Sequence, residues 1–165
     1  MILRRHLLRL VATALALVAT RGAQARDIVP LAGYNYAAGS IVISTRSREL
    51  YYVLGRGHAI RYPVGVGKAG MAWHGRAFVA LKKLRPAWSM PPEFGGGPLI
   101  PGGSPQNPMG AAVLGLDHGN YAIHGTNDPS SIGGYVSHGC IRMHNEDILD
   151  LYRRVPMGAD VYVIQ

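Results

Sequence analysis

Residues 40–54, S-I-V-I-S-T-R-S-R-E-L-Y-Y-V-L, contain two runs rich in β-branched and aromatic residues on either side of a polar turn. This pattern is typical of two strands joined by a tight connection. Comparable runs follow, each bounded by glycine, proline or asparagine, at residues 59–66, 77–81, 111–116, 121–124 and 161–164. The chain is therefore predicted to be mostly β. Pro63 lies inside the 59–66 run and predicts an edge strand or a bulge there.

A long loop and one helix complete the predicted architecture. Residues 84–110 hold seven prolines and two glycine clusters, which exclude a regular helix or a central strand. Such a loop in a compact domain is usually a lid or a binding loop. The helix lies just before the last strand: Asn145 is its predicted cap, acids occupy its first turn and Pro156 ends it. Its apolar stripe predicts core packing.

The first 25 residues are typical of an export signal. Three arginines precede a ten-residue apolar run, 10–19, and alanines at 23 and 25 fit a signal-peptidase site. The run is too short to span a bilayer, which needs about 20 residues. We expect a cleaved signal peptide at residues 1–25 and one mature domain, residues 26–165, in the periplasm or cell wall without a stable membrane span.

The charge of the chain does not predict a nucleic-acid partner. Four arginines and no acid lie in residues 1–25, so removing them lowers the formal net charge from +8 to +4. The remaining basic residues are scattered and do not form a phosphate-binding stripe. A modest positive charge would still suit an anionic polymer as substrate.

Cys140 is the only cysteine of the chain. A structural cysteine in an exported protein normally has a disulfide partner, so Cys140 is either an inert buried thiol or a nucleophile. A free thiol is only ~3% thiolate at neutral pH, and an adjacent imidazole that lowered its pKa to about 6 would raise the reactive fraction about thirtyfold. His138 faces the same side of an extended segment, and His124 closes a predicted strand. Spacing alone leaves both as candidate bases.

Two neighbours of Cys140 suit acyl transfer. Gly139 lets successive backbone N–H groups converge beside the thiol as an oxyanion site. Arg142 can bind a substrate carboxylate through its planar fork, or it can pair with Asp147 or another acid.

Two other kinds of site are disfavoured. Residues 65–70 match G-x-G-x-x-G, but no helix opens after them, so no nucleotide cofactor is predicted. Seven histidines suggest the hypothesis of a zinc site. Only a catalytic zinc ion, bound by His124, His138 and His144, would have the number of protein ligands it requires. We expect no metal and no cofactor.

His124-Gly125-Thr126 followed by Ser137-His138-Gly139-Cys140-Ile141-Arg142-Met143 closely resembles the active-site signature of the L,D-transpeptidase (YkuD-type) catalytic domain. The resemblance extends through most of residues 40–165, including 62–68, 86–92 and 107–110. It implies a β-sandwich-like core and makes residues 26–165 the catalytic domain. One departure is Ala72-Trp73-His74-Gly75, where many members carry Thr-Pro-x-Gly beside the substrate region.

The resemblance also implies roles for individual residues. Cys140 would be the nucleophile and His124 the proton donor and acceptor, with the Gly125 carbonyl orienting its ring. The remaining site residues fall into two groups. His138 and Gly139 would line the oxyanion region with Cys140, and substrate would be bound by Arg142, Ser137 and Trp88.

The expected function is that of a secreted cysteine transpeptidase in cell-wall biogenesis and cell shape. Its partners would be peptidoglycan stem peptides and carbapenem-type inhibitors. Water in place of the acceptor amine would make it an L,D-carboxypeptidase or endopeptidase. A non-catalytic wall-binding protein is a further alternative, and the sequence does not identify the acceptor.

Overall fold

The structure, a computed structural model, describes residues 27–31 and 35–165. The predicted signal peptide, residues 1–25, lies outside the described residues. The described chain forms eleven strands, which are β1 Ile28–Pro30, β2 Ile41–Ser44, β3 Glu49–Gly55, β4 His58–Pro63, β5 Val66–Gly67, β6 Gly75–Leu84, β7 Ala112–Leu116, β8 Ala122–His124, β9 Tyr135–Ser137, β10 Ile141–Arg142 and β11 Asp160–Ile164. One helix, α1 Asn145–Arg154, precedes the last strand. The prediction of a mostly β fold with one late helix is confirmed.

Nine strands form one sheet in the order β1-β4-β3-β2-β11-β6-β7-β8-β10, and β5 pairs separately with β9. The long strand β6 belongs to both halves of the sheet, since it pairs with β11 near its start and with β7 further on. The register with β7 shifts between Val79 and Leu81. A shift of this kind bends a strand and increases its twist. Both halves contribute side chains to one apolar core, in the predicted sandwich-like arrangement.

The helix packs its apolar face against β7 and β8, with Ile148 and Leu151 fully buried. Asp150 is also buried on this face. Its carboxylate accepts hydrogen bonds from the Tyr62 hydroxyl at 2.7 Å and from Arg154 Nε at 2.8 Å. A buried charge is tolerated when it is paired in this way. The contact ties α1 to β4 across the core.

The predicted cap of the helix is wrong. His144 is the N-cap residue, and Asn145 is the first helical residue. The side chain of Asn145 turns away from its own helix, because Oδ1 accepts hydrogen bonds from the Ala111 N–H at 2.9 Å and the Thr126 N–H at 3.1 Å. Its Nδ2 donates to the Thr126 carbonyl at 2.9 Å. These long-range bonds outweigh a local cap and hold the turn after β8 against the start of β7.

The 59–66 run divides after Pro63 into β4 and β5. β4 lies between β1 and β3, but β1 reaches it only through residues 58–60. Pro63, which has no backbone N–H to donate, therefore ends β4 beyond the residues that pair with β1. Strands β1, β9 and β10 were not predicted.

The loop before β7 contains a short 3-10 turn, Pro92–Phe94, and a bridge between Trp88 and Ile100, with no regular helix or central strand, as predicted. Asn107 is buried, and its Nδ2 donates to the Pro86 carbonyl at 2.8 Å. The loop is thus folded on itself by an internal clamp. Within residues 27–31 and 35–165, no helix has the length and apolar character to cross a membrane.

Candidate active site

The parallel pair β8 and β10 brings the two halves of the sequence signature together. Ile141 lies opposite Ile123, and both are buried in the core. Arg142 lies opposite His124. Because side chains alternate along a strand, His124 and Arg142 lie on the face turned away from these isoleucines. Cys140 directly precedes β10, and the charge of Arg142 acts on both His124 and Cys140, so residues far apart in sequence lie near one another.

His124 is buried, and its Nδ1 lies 2.6 Å from the Gly125 carbonyl oxygen. Burial lowers the pKa of His124 to about 4, and the positive charge of Arg142 acts in the same direction. The carbonyls of Gly125 and Pro108 oppose this shift. The imidazole is therefore neutral at neutral pH. Since Nδ1–H donates to Gly125, the lone pair of the neutral ring is on Nε2, which can accept a proton.

The Cys140 thiol is half-buried, and its Sγ lies 3.9 Å from the Asn120 carbonyl. Burial raises the pKa of Cys140 above its ordinary value, although the Ala122 backbone and the charge of Arg142 both act to lower it. The resting site therefore holds a neutral thiol and a neutral imidazole rather than the thiolate considered from sequence. A thiol in this state needs a base to remove its proton before it can act as a nucleophile.

His138 is engaged by other groups. Its Nε2 lies 3.1 Å from Lys68 Nζ, and its ring stacks on Phe94 with centroids 4.7 Å apart. An ammonium group only donates, so Nε2 of His138 accepts from Lys68. The lone pair that a base would need is thus already used. Of the two candidate bases, His124 has the arrangement that suits the role.

The loop between β9 and β10 is held by its own serine. The hydroxyl of Ser137, which is buried, accepts from the Gly139 N–H at 3.1 Å and donates to the Cys140 carbonyl at 2.6 Å. Gly139 has φ 122°, a conformation that side chains rarely adopt. The Gly139 N–H is used by Ser137, whereas the N–H of Cys140 makes no hydrogen bond to the described residues. The substrate-binding role of Ser137 stays a prediction.

Arg142 and Trp88 differ in their setting. No carboxylate of the described residues lies within ion-pair distance of the half-buried Arg142, so the alternative pairing with Asp147 is not formed. Trp88 lies on the long loop and is held by backbone hydrogen bonds to Ile100, at 2.9 and 2.7 Å. The residue that brings this loop to the Cys140 segment is Phe94, through its stack on His138.

A cavity of about 570 Å³ includes in its wall Lys68, the residue that contacts His138. It is lined in part by Lys68, Arg46 and Tyr135. This volume is in the usual range for a small-molecule pocket, and two cations in its wall favour an anionic ligand. The His, Cys, Asp and Glu side chains of residues 27–31 and 35–165 form no group of three that could hold a metal ion, which leaves the zinc alternative without ligands there.

Several residues that shape this site were not found from sequence. They are Lys68, Trp73, Phe94, Tyr121 and Asn145. Each acts through a contact with a residue at least 19 positions away. The one available signal was the unusual turn at residues 72–75, which contains Trp73. A contact between distant segments leaves no periodic or spacing pattern.

Comparison with known proteins gives one family. The model of the L,D-transpeptidase catalytic domain, YkuD, matches residues 38–163. A putative L,D-transpeptidase of Bacillus subtilis, YqjB, is 34% identical over 140 residues, which cover 81% of this chain and 73% of that protein. A probable L,D-transpeptidase of Escherichia coli, YbiS, is 40% identical over 139 residues, but these cover only 44% of its length.

Solved structures give the same fold. The catalytic domain of an E. faecium L,D-transpeptidase, determined by NMR and acylated by ertapenem, superposes with a TM-score of 0.61 at 19% identity. The match covers 76% of this chain and 95% of that domain.

Proposed function

Since this chain belongs to the YkuD L,D-transpeptidase catalytic domain family, we propose that it is a cysteine transpeptidase that acts on peptidoglycan stem peptides. The observation that carries the proposal is the β8–β10 pair, which places Arg142 opposite His124 and has Cys140 directly before β10. It combines a candidate nucleophile, a neutral buried base and a cation that pairs with no carboxylate of the described residues. A wall-binding protein without catalysis would have no use for a buried imidazole beside the strand that directly follows its only thiol.

The first half of the reaction forms an acyl-enzyme. The Cys140 thiol attacks the carbonyl carbon of the L,D peptide bond in a tetrapeptide stem, and Nε2 of His124 takes the thiol proton. The Cys140 N–H stabilises the oxyanion that forms. The C–N bond then breaks, His124 returns the proton to the leaving amine, and D-alanine departs. The products are a thioester on Cys140 and free D-alanine.

The second half transfers the acyl group to an amine. His124, again neutral, removes a proton from the attacking amine, which forms a new amide as the C–S bond breaks. The proton returns to Cys140. Arg142 pairs with a substrate carboxylate, and the cavity bearing Lys68 and Arg46 suits the anionic remainder of a stem peptide. The result is a cross-link, so the protein serves cell-wall biogenesis and cell shape.

The proposal extends to the location and the inhibitors of the protein. The basic and apolar segment of residues 1–25 directs the chain out of the cytoplasm and into the compartment that contains peptidoglycan. Carbapenems are expected to acylate Cys140, since ertapenem acylates the catalytic domain of the E. faecium relative. A β-lactam ring presents a strained amide to the same nucleophile.

The test is intact-mass analysis of the purified protein after incubation with a disaccharide-tetrapeptide or with ertapenem. We expect a covalent adduct that maps to Cys140 and is absent from Cys140→Ala. A second incubation with two stem peptides separates transfer from hydrolysis, since transfer gives a dimer and hydrolysis gives a tripeptide. The absence of any adduct with both reagents would refute the proposal.

A further inference from the structure

Three aromatic rings that the proposed mechanism does not use form a cluster, and two of them contact the Cys140 loop. Trp73 stacks on Tyr121 with centroids 5.3 Å apart and planes inclined by 4°. His118 lies against Trp73 at 4.9 Å. Trp73 comes from the turn between β5 and β6, and the other two come from the connection between β7 and β8. Trp73 and Tyr121 also pack against the core, so the stack has a fixed base.

Both rings of the stack contact Gly139. The Trp73 indole N–H donates a hydrogen bond to the Gly139 carbonyl oxygen at 3.1 Å. Tyr121 fills the space where a side chain of residue 139 would project, since a Cβ there would lie 2.2 Å from its ring. The stack therefore holds the backbone of Gly139 in two ways. Trp73 donates a hydrogen bond to it, and Tyr121 occupies the space where a side chain would project.

The held carbonyl fixes the N–H of the next residue. A trans peptide unit is planar, and its C=O and N–H point in opposite directions. The described residues contain no cis peptide bond. The indole that fixes the Gly139 carbonyl on one side therefore aims the Cys140 N–H to the other side. Ser137 fixes the two neighbouring peptide units through its hydroxyl, which leaves Trp73 to determine the unit between them.

We propose that Trp73 is a positioning residue that orients the Cys140 N–H as the oxyanion donor of the acyl-transfer site. The inference rests on the proposed function and adds a residue outside the signature, in the turn where this chain departs from its family. Removal of one oxyanion donor costs an enzyme about 10²–10³ in kcat. Loss of the bond that aims such a donor, with the donor retained, should cost about tenfold or more in the acylation rate.

The experiment compares two reactions of the same thiol in the full chain and in Trp73→Phe. Acylation by ertapenem passes through a tetrahedral oxyanion, whereas alkylation by iodoacetamide is a displacement at carbon and forms none. Phenylalanine keeps an aromatic ring in the stack but has no N–H. We expect the acylation rate to fall at least tenfold while the alkylation rate stays within about twofold of wild type.

Two further variants keep the test decisive. Tyr52→Phe removes another single hydrogen bond from a half-buried aromatic side chain to a backbone carbonyl, that of Arg154 at 3.2 Å, far from the site. It should leave both rates unchanged. If Trp73→Phe unfolds, 3-benzothienylalanine at position 73 keeps the fused ring and lacks the N–H, and the same loss is expected.

Each result has a distinct meaning. Equal acylation of the Trp73 variants and wild type overturns the positioning role while the proposed function stands. Equal losses in acylation and alkylation also overturn it, because the damage would then not involve the oxyanion. A wild-type protein that is alkylated but never acylated refutes the proposed function itself, and the inference with it.

Discussion

Protonation of the buried His124 should destabilise the folded protein in a defined pH range. Burial lowers the pKa of His124 to about 4, whereas an imidazole in the unfolded chain titrates near 6.5. Between these values the unfolded state binds more protons than the folded state. The free energy of unfolding therefore rises with pH in this window, and the contribution of His124 is lost as the pH falls from 6.5 towards 4.

The size of the effect follows from the two pKa values. A difference of one pKa unit corresponds to 1.36 kcal/mol, so His124 accounts for a loss of about 2 kcal/mol between pH 7 and pH 5. The loss reaches about 3 kcal/mol by pH 4. His124→Gln has no titrating group at this position. The difference in unfolding free energy between wild type and this variant should change with pH by these amounts.

The assay is urea denaturation of both proteins at pH 7, 6, 5 and 4, together with an NMR titration of the histidine ring protons. His58→Gln is the matched control, since it removes an exposed imidazole. The pH dependence of the wild type should persist in this control and disappear in His124→Gln. A stability difference between wild type and His124→Gln that is constant from pH 7 to 4 would contradict the reasoning, as would a titration of His124 near 6.5.

Three further substitutions test contacts around the site. Asn145→Ala removes three hydrogen bonds between segments and should lower the free energy of unfolding by about 2 kcal/mol, measured in urea. Gly139→Ala adds a side chain at φ 122° against Tyr121, so it should cost at least about 2 kcal/mol and abolish acylation by ertapenem. Tyr62→Phe removes a hydrogen-bond donor from the buried carboxylate of Asp150. It should lower the free energy of unfolding by about 1.5–3 kcal/mol, measured by thermal denaturation.

Each of these substitutions has a control. Asn127→Ala loses one exposed hydrogen bond and is the control for Asn145→Ala. If both substitutions lower the free energy of unfolding equally, the three hydrogen bonds of Asn145 do not have the stabilising effect assigned to them. Gly133→Ala has φ 84° with open space for its Cβ, so it isolates backbone strain. If it blocks acylation as Gly139→Ala does, the contact with Tyr121 is not the cause. Tyr52→Phe should be milder than Tyr62→Phe, and a reversed order would count against the buried carboxylate pair.

Several strands were located closely from their local residue pattern. The runs that became β2, β3 and β11 were located to within one residue at each end, and each has buried side chains on at least one face. β10, with two residues, exists because Ile141 and Arg142 pair with β8, and pairing is a property of both partners. Asn145 was misread for a related reason. Its local pattern favoured a cap, and the long-range bonds to Ala111 and Thr126 outweighed it.

The site shows the same division. The lone Cys140, the glycine before it and the arginine after it are features of a short segment, so they could be read directly from the sequence. The state of Cys140 could not be read, because burial raises its pKa and burial depends on the whole fold. Trp73 could not be assigned a role from sequence either, since its contact with Gly139 joins segments 66 residues apart.

Sequence by itself determined the mostly β character, the single late helix and the segment that carries the candidate nucleophile, because each is encoded by neighbouring residues. Only the tertiary structure distinguishes the surroundings of the two histidines. The parallel register of β8 and β10 places a neutral, buried His124 beside Arg142. Lys68, which follows β5, occupies the lone pair of His138. A proton acceptor is defined by the atoms around its ring, and those atoms come from distant parts of the chain.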